Sequence, residues 1–354
     1  MSRANNLSPH ASSGADLDIE DRSRLVAYLR ERGILSLDQE PDVRKLEGGV
    51  SNRTVLVKRK SGPAFVVKQA LAKLRVAVDW YSPPERIHRE ALGLEWLSRL
   101  APLGSITPLL FEDRAAHIIG MAAVPEPHEN WKRALLRGEV STKDAEQFAG
   151  MLAAIHRNSW QERAAVADIF ADRSFFETLR IEPYYRYSAE QVPESRPFYS
   201  SLIESTLATK LTVVHGDYSP KNVLVYNHRF FLIDHEVIHF GDPAFDVGFA
   251  LTHLLSKAHH VARCRKAFVE AARTFASYYL ESIRDMEWRE AAEWRAVRHT
   301  LGCLLARVAG RSPLEYLTPE ERQAQLQIAV ALMADPPPSL SALISSFSEA
   351  LPCT

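Results

Sequence analysis

The chain has 354 residues, 46% of them hydrophobic and 25% charged, enough apolar material to bury a full core in two lobes or domains. A formal net charge of -1 gives no broad attraction to nucleic acid or to an anionic membrane, so neither is expected as a partner and any polyanion site must be local. Three widely spaced cysteines, Cys264, Cys303 and Cys353, fit a reducing compartment and argue against a disulfide frame or a zinc cluster, which leaves a cytoplasmic protein with a small-molecule partner as the expectation.

Residues 1–20 are polar and rich in small side chains, lack an apolar signal core, and read as a disordered tail before a helix in "DIEDRSRLVAYLRERG". No run approaches membrane-spanning length. From Val43 to Ala70 the pattern is strand-like, "VRKL", "RTVLVKR" and "AFVVKQA", with Gly48-Gly49 between the first two. Glycines there suit an ordinary hairpin turn, and they also let backbone amides approach a phosphate, with Ser51 and Asn52 adding contacts or ordering the turn.

Lys68 lies in an apolar strand, where an inward lysine is costly without an anion. In "PPERIHREALGLEWLSRL", Ile87, Glu90, Ala91 and Leu94 fall on one helical stripe, so Glu90 is placed among apolar residues and needs a cation. Lys68 and Glu90 are therefore expected partners, in the plan by which kinases hold nucleotide phosphates. "HIIGMAAV" reads as a buried strand and "PEPHENW" as a hinge, with backbone groups around Met121 to Glu126, Val124 among them, available to an adenine edge. This divides the chain into a nucleotide-binding lobe over 21–124 and a helical catalytic and acceptor-binding lobe over 125–354.

In the second lobe "LTVV" leads into "HGDYSPKN" and then into a hairpin turning at Asn227-His228. That register brings Asn222 and Asp234 together at the open end, two hard oxygen ligands suited to magnesium on a nucleotide. Asp217, on the same loop as Asn222, is placed to accept the proton of an attacking hydroxyl. The stretch "HEVIH", His235 to His239, also satisfies the H-E-x-x-H pattern of a zinc peptidase. That chemistry needs both histidines on one helical face, and the preceding β-branched and aromatic run with the following Gly241-Asp242-Pro243 argues against a helix. His215, Asp242 and Asp246 are read as bracing the loops around them.

Together "GGVSN", Lys68, Glu90, "HGDYSPKN" and "IDHE" resemble the aminoglycoside phosphotransferase and choline kinase superfamily of small-molecule kinases, over most of the chain. The resemblance implies an α+β, two-lobed protein-kinase-like fold with a small β-rich N-lobe and a larger, mainly helical C-lobe. It implies an ATP-dependent phosphotransferase acting on the hydroxyl of a small molecule with magnesium, in which Asp217 is catalytic and Asn222, Asp234 and Glu236 serve the metal. Gly48, Gly49, Ser51, Asn52, Lys68, Glu90, Met121 and Val124 would serve the nucleotide. Within the superfamily the chain is similar to methylthioribose kinases around the lysine strand and Trp80, and in "CLLARVAG", which suggests Trp80 and Arg307 as phosphate or acceptor contacts. It departs from them at Asn222, where they carry serine, and at Ala306, where they carry the first of two arginines. The acceptor is therefore expected to be another small hydroxyl compound, an amino sugar or a hydroxylated metabolite. A protein kinase is disfavoured by the short span from Asp234 to Asp246; the remaining alternatives are a nucleotide-binding pseudokinase and methylthioribose kinase proper.

Overall fold

The computed structural model describes residues 5–6, 17–46, 51–75 and 81–352. They fall into two units, the first formed by Met1–Arg99, Ile106–His128 and Ile233–Glu236, the second by Leu100–Ser105, Glu129–Leu232 and Val237–Thr354. The segment carrying Asp234 and Glu236 thus belongs with the sheet, although its neighbours on both sides in the sequence belong to the helical unit.

The first unit is a six-stranded sheet of β1 (Asn5–Asn6), β2 (Asp42–Lys45), β3 (Asn52–Lys58), β4 (Phe65–Ala70), β5 (Leu109–Asp113) and β6 (Ile118–Ala122), in the order β1-β5-β6-β4-β3-β2. Strand alternation sorts its side chains. Val55, Val57, Phe65 and Val67 share one face and form a core with Leu25, Tyr28 and Leu29 of the helix Arg22–Glu31. Each of these side chains contributes roughly 1.5–3 kcal/mol by leaving water. Asp21 starts that helix by accepting from the amides of Ser23 and Arg24 at 2.9 and 3.1 Å. The expected tail ends before residue 20: Ile19 is fully buried in the same core, and the Gln69 amide donates to the Leu17 carbonyl at 2.6 Å. An apolar residue with a core to enter does not stay in a solvated tail.

Lys68 stands opposite Thr54 on β3 and Ile119 on β6, one residue out of phase with Phe65 and Val67, and so points to the other face. The helix Arg86–Leu100 buries Ile87, Ala91 and Leu94, and Glu90 lies on that stripe with no exposure at all.

The second unit is mainly helical, with two small sheets. Strands β7 (Glu129–Asn130), β9 (Val223–Tyr226) and β10 (Arg229–Leu232) form one in the order β10-β9-β7; β8 (Thr212–Val214) and β11 (His239–Gly241) form the other. The β9–β10 hairpin pairs Tyr226 with Arg229 and runs to Val223 opposite Leu232, as the turn residues lead one to expect. Asn227 and His228 both have positive φ, 47° and 60°, the geometry of a type I′ turn. The long helices Thr142–Gln161, Pro243–His260, Arg265–Ser282 and Arg289–Ala309 supply the core; Phe148, Leu152 and Ile155 of the first are fully buried. At Gly248 an added Cβ would stand 2.7 Å from the backbone of His299 and Thr300, so two of these helices touch main chain to main chain there.

The stretch His235–His239 is not helical: a turn passes into β11 at His239. The His239 ring is buried, bonded to the Val237 carbonyl at 3.0 Å and stacked on Phe176 at 4.1 Å. Among the described residues no group of three or more His, Cys, Asp or Glu side chains is arranged to hold a metal ion, and no helix is long and apolar enough to cross a membrane.

Candidate functional site

In the first unit the pairing of Lys68 with Glu90 is direct, Nζ to Oε1 2.5 Å, with the lysine side chain 11% exposed and the glutamate wholly buried. Burial alone would discharge the ammonium, but Glu90, Asp234 and Glu236 more than offset it and hold Lys68 well above its ordinary range. A permanent cation is thereby fixed on the face of β4 away from the core.

Asp234 differs from its acidic neighbours. Its Oδ1 is buried without a hydrogen-bond partner, and its backbone sits in the left-handed region, φ 69°. Both are costly for a carboxylate and are expected where a bound group supplies the missing partner. Glu236 is placed otherwise. Its carboxylate accepts from Nε of the fully buried Arg86 at 3.2 Å and from the Asn52 amide at 3.5 Å.

Arg86 was not singled out from the sequence, though it lies four residues before Glu90 on the same helical face. Its guanidinium also donates to the carbonyls of Ser82 (3.0 Å), Pro83 (3.1 Å), Leu71 (2.8 Å) and Ser51. One planar fork thus ties Glu236 to the end of β4, to the start of its own helix, and to Ser51 at the entry of β3. Arg86→Met is expected to cost about 3–5 kcal/mol, because Glu236 and several carbonyls lose their buried partner. Arg86→Lys should recover less than half, since an ammonium cannot span those acceptors. Urea unfolding of the three proteins measures this, and a loss below about 1 kcal/mol for Arg86→Met would show the network to be dispensable. Ser51 and Asn52 are buried here, as are Met121 and Val124 at the edge of β6. Gly48, Gly49 and Trp80 lie outside the described residues.

In the second unit Asp217 is set by the backbone of its loop. Asp246 accepts from the amides of His215 and Gly216 at 2.7 and 2.8 Å, and the Asp217 amide donates to Nδ1 of His215 at 3.2 Å. Gly216 has φ 76° and would put a Cβ 3.0 Å from the Val237 carbonyl, so no other residue fits easily. Tyr218, fully buried, stacks on Phe148 at 4.3 Å and donates to its carbonyl at 2.7 Å. Asp242 caps the helix Pro243–His260 and accepts from Arg295 at 2.7 Å. His215, Asp242 and Asp246 are thus the loop braces that the sequence suggested.

The Asp217 carboxylate meets Arg180 at 3.1 Å, Lys221 at 2.9 Å and the Asn222 amide at 2.7 Å. Burial pushes its carboxyl up, and Arg180 and Lys221 outweigh that and hold it well below the usual carboxylate range. It is a fixed anion. Arg307 is buried and donates to the Tyr184 hydroxyl and the Ser312 hydroxyl, both at 3.0 Å, and to the Ser312 carbonyl; Ala306 beside it is fully buried. Arg180 comes from a wide-turned π-helical stretch, Glu177–Arg186, which the sequence pattern did not reveal.

One oxygen in the first unit is left available to a divalent cation. Glu90 and Glu236 are engaged by Lys68 and Arg86, whereas Oδ1 of Asp234 is a buried, unpartnered hard oxygen of the kind that suits magnesium.

The chain is 24% identical over 271 residues to "Methylthioribose kinase 2" of Oryza sativa subsp. japonica, covering 66% of this chain and 62% of that protein. It thus spans a little under two thirds of the length of the curated relatives it matches. Among solved structures, an amicoumacin kinase in complex with AMP-PNP, Ca2+ and Ami superposes with a TM-score of 0.58 at 14% identity, covering 90% of this chain and 96% of the other. A choline kinase from Cryptosporidium parvum Iowa II gives 0.56 at 12% identity, covering 92% and 99%. At such identities these structures establish the kinase-like α+β fold. The family model of the phosphotransferase enzymes matches residues 42–294, well over half the chain, and the protein therefore belongs to the phosphotransferase enzyme family.

Proposed function

We propose that the protein transfers the terminal phosphoryl group of ATP to a hydroxyl of a small molecule. The observation that carries this is the buried Lys68–Glu90 pair beside an Asp234 oxygen left without a partner, in a chain of this family. Lys68 would meet the nucleotide's phosphates, with Ser51 and Asn52 beside them, and Met121 and Val124 would flank the base. Asp234 would hold magnesium, and the metal would neutralise charge on the transferring group. Glu236, engaged by Arg86, would orient that region more than ligate the ion. Asp217 would receive and orient the acceptor hydroxyl. A supply of magnesium-bound ATP makes the cytoplasm the expected compartment.

ATP consumption should be followed with magnesium over amino sugars, thiosugars, amino alcohols and hydroxy acids, with the phosphorylated product identified by mass spectrometry. Acceptor-dependent ADP release with a matching product is expected, and methylthioribose should be a poor acceptor because alanine at 306 cannot imitate an arginine. Tight nucleotide binding with no turnover on any acceptor would favour a nucleotide-binding regulator instead.

A further inference from the structure

The second unit holds a group of buried cations that begins at Arg180 and runs beyond the loop around Asp217. Arg180, bound to Asp217, lies over the rings of Tyr184 and Phe249 at 5.5 and 6.0 Å, and Arg307 lies over the same Tyr184 ring at 5.5 Å. His253 packs edge-on against Phe249 at 5.0 Å. One turn further along that helix, the fully buried Lys257 lies over Tyr316 at 5.2 Å, and among the described residues its ammonium donates only to the His253 carbonyl at 3.2 Å.

Among the described residues neither Lys257 nor Arg307 has a carboxylate within 4.0 Å; Glu315 and Glu321, the acids that act on the cluster, are paired with Lys132 and His260. Several groups here are buried with no partner: Nε of Arg307, Nε2 of His253 and the Tyr316 hydroxyl. Burial, with Lys132 and Arg307 adding to it, pulls Lys257 down to about 7. Burial and the cations Lys257, Arg307, Lys221 and Lys132 hold His253 well below its ordinary range. A buried ammonium and a buried guanidinium without carboxylates are destabilising unless something else brings the negative charge.

We propose that this cluster is the acceptor's recognition site and that the acceptor carries an anionic group, a carboxylate or a phosphate ester, besides the hydroxyl to be phosphorylated. The inference rests on the kinase function and names the substrate class it would take. The Nε edge of Arg307 offers the fork that fits a carboxylate or phosphate, Lys257 supplies a point charge, and Tyr316 and His253 supply further hydrogen bonds. The Arg180–Tyr184 contact joins this cluster to Asp217, so an acceptor anchored by its anion would reach Asp217 with another part of its skeleton. A polycationic amino sugar or a quaternary amine would meet like charges there, which replaces the amino sugar with a hydroxy acid or a sugar phosphate as the expected acceptor.

The test uses the full chain and charge-matched probes: glycerate and gluconate, ribose 5-phosphate and glycerol 3-phosphate, the neutral ribose and glycerol, and the cationic choline and kanamycin. Turnover is measured with magnesium-ATP, and binding is measured separately by thermal shift in the presence of magnesium-ADP, so that a failure of the kinase function and a failure of this site are read independently. Anionic probes should be turned over, or should stabilise the protein, where their neutral twins do not. Arg307→Met and Lys257→Met should each raise the KM or Kd of the anionic probe by about 10- to 100-fold while shifting its neutral twin far less. Preference for a neutral or cationic acceptor, no charge-dependent stabilisation, or equal losses for charged and neutral probes would overturn the proposal. Carboxylates winning over phosphate esters, or the reverse, identifies the group.

Discussion

Replacing Asp217 by asparagine is expected to lower kcat by roughly 10²–10⁴ while the affinity for magnesium-nucleotide changes little. The carboxylate is held from three sides, by Arg180, Lys221 and the Asn222 amide, on a loop whose amides are fixed by Asp246. Asparagine keeps the shape but leaves two cations without their counter-charge. Because Arg180 and Lys221 hold the carboxyl well below its usual range, it is a poor proton acceptor in the ground state. In the proposed reaction it would then orient the hydroxyl and receive its proton late, which suits a loose phosphoryl-transfer transition state.

A depressed carboxyl also fixes the sign of the pH dependence. Asp217 remains ionised at all pH values above its unfolded value of about 4, its stabilisation is complete there, and it is lost as pH falls through the lower folded value. Steady-state kinetics over pH 6–8 should therefore show no limb from this group. Wild-type turnover in Asp217→Asn, once an acceptor is in hand, would remove Asp217 from the mechanism.

The second large effect is expected at Asp234. Asp234→Ala should weaken magnesium-dependent nucleotide binding by about 100-fold or more, measured by titration calorimetry with and without the metal. Asparagine tolerates the left-handed backbone better than alanine, so Asp234→Asn separates lost charge from added strain and should lose the metal-dependent increment as well. His239→Ala removes a buried ring stacked on Phe176; it should cost stability and leave that increment in place. Stoichiometric zinc in the purified protein, lost on changing His235 or His239, would reverse this assignment and restore the peptidase pattern.

What the sequence determined by itself is local or periodic. An apolar strand marked Lys68 as a lysine in need of an anion, helical periodicity put Glu90 on a buried stripe, and two turn residues fixed the hairpin register from Tyr226–Arg229 to Val223–Leu232. Gly241-Asp242-Pro243 likewise told against a helix at His235–His239, because capping and proline rules act over a few residues. Partners supplied from distant segments were decided only by the tertiary structure. The resemblance made Glu236 an expected metal ligand, and only the fold shows that Arg86, 150 positions away, donates to one of its oxygens. Arg180 reaches Asp217 from a π-helical stretch that no 3.6-residue pattern marks. Lys257 sat unnoticed in an apolar helix, since nothing local distinguishes a lysine whose chain runs out to water from one sealed inside. Burial is a property of everything that packs around a side chain, and it is burial that turns Arg86, Lys257 and Arg307 from ordinary cations into groups that must find an anion.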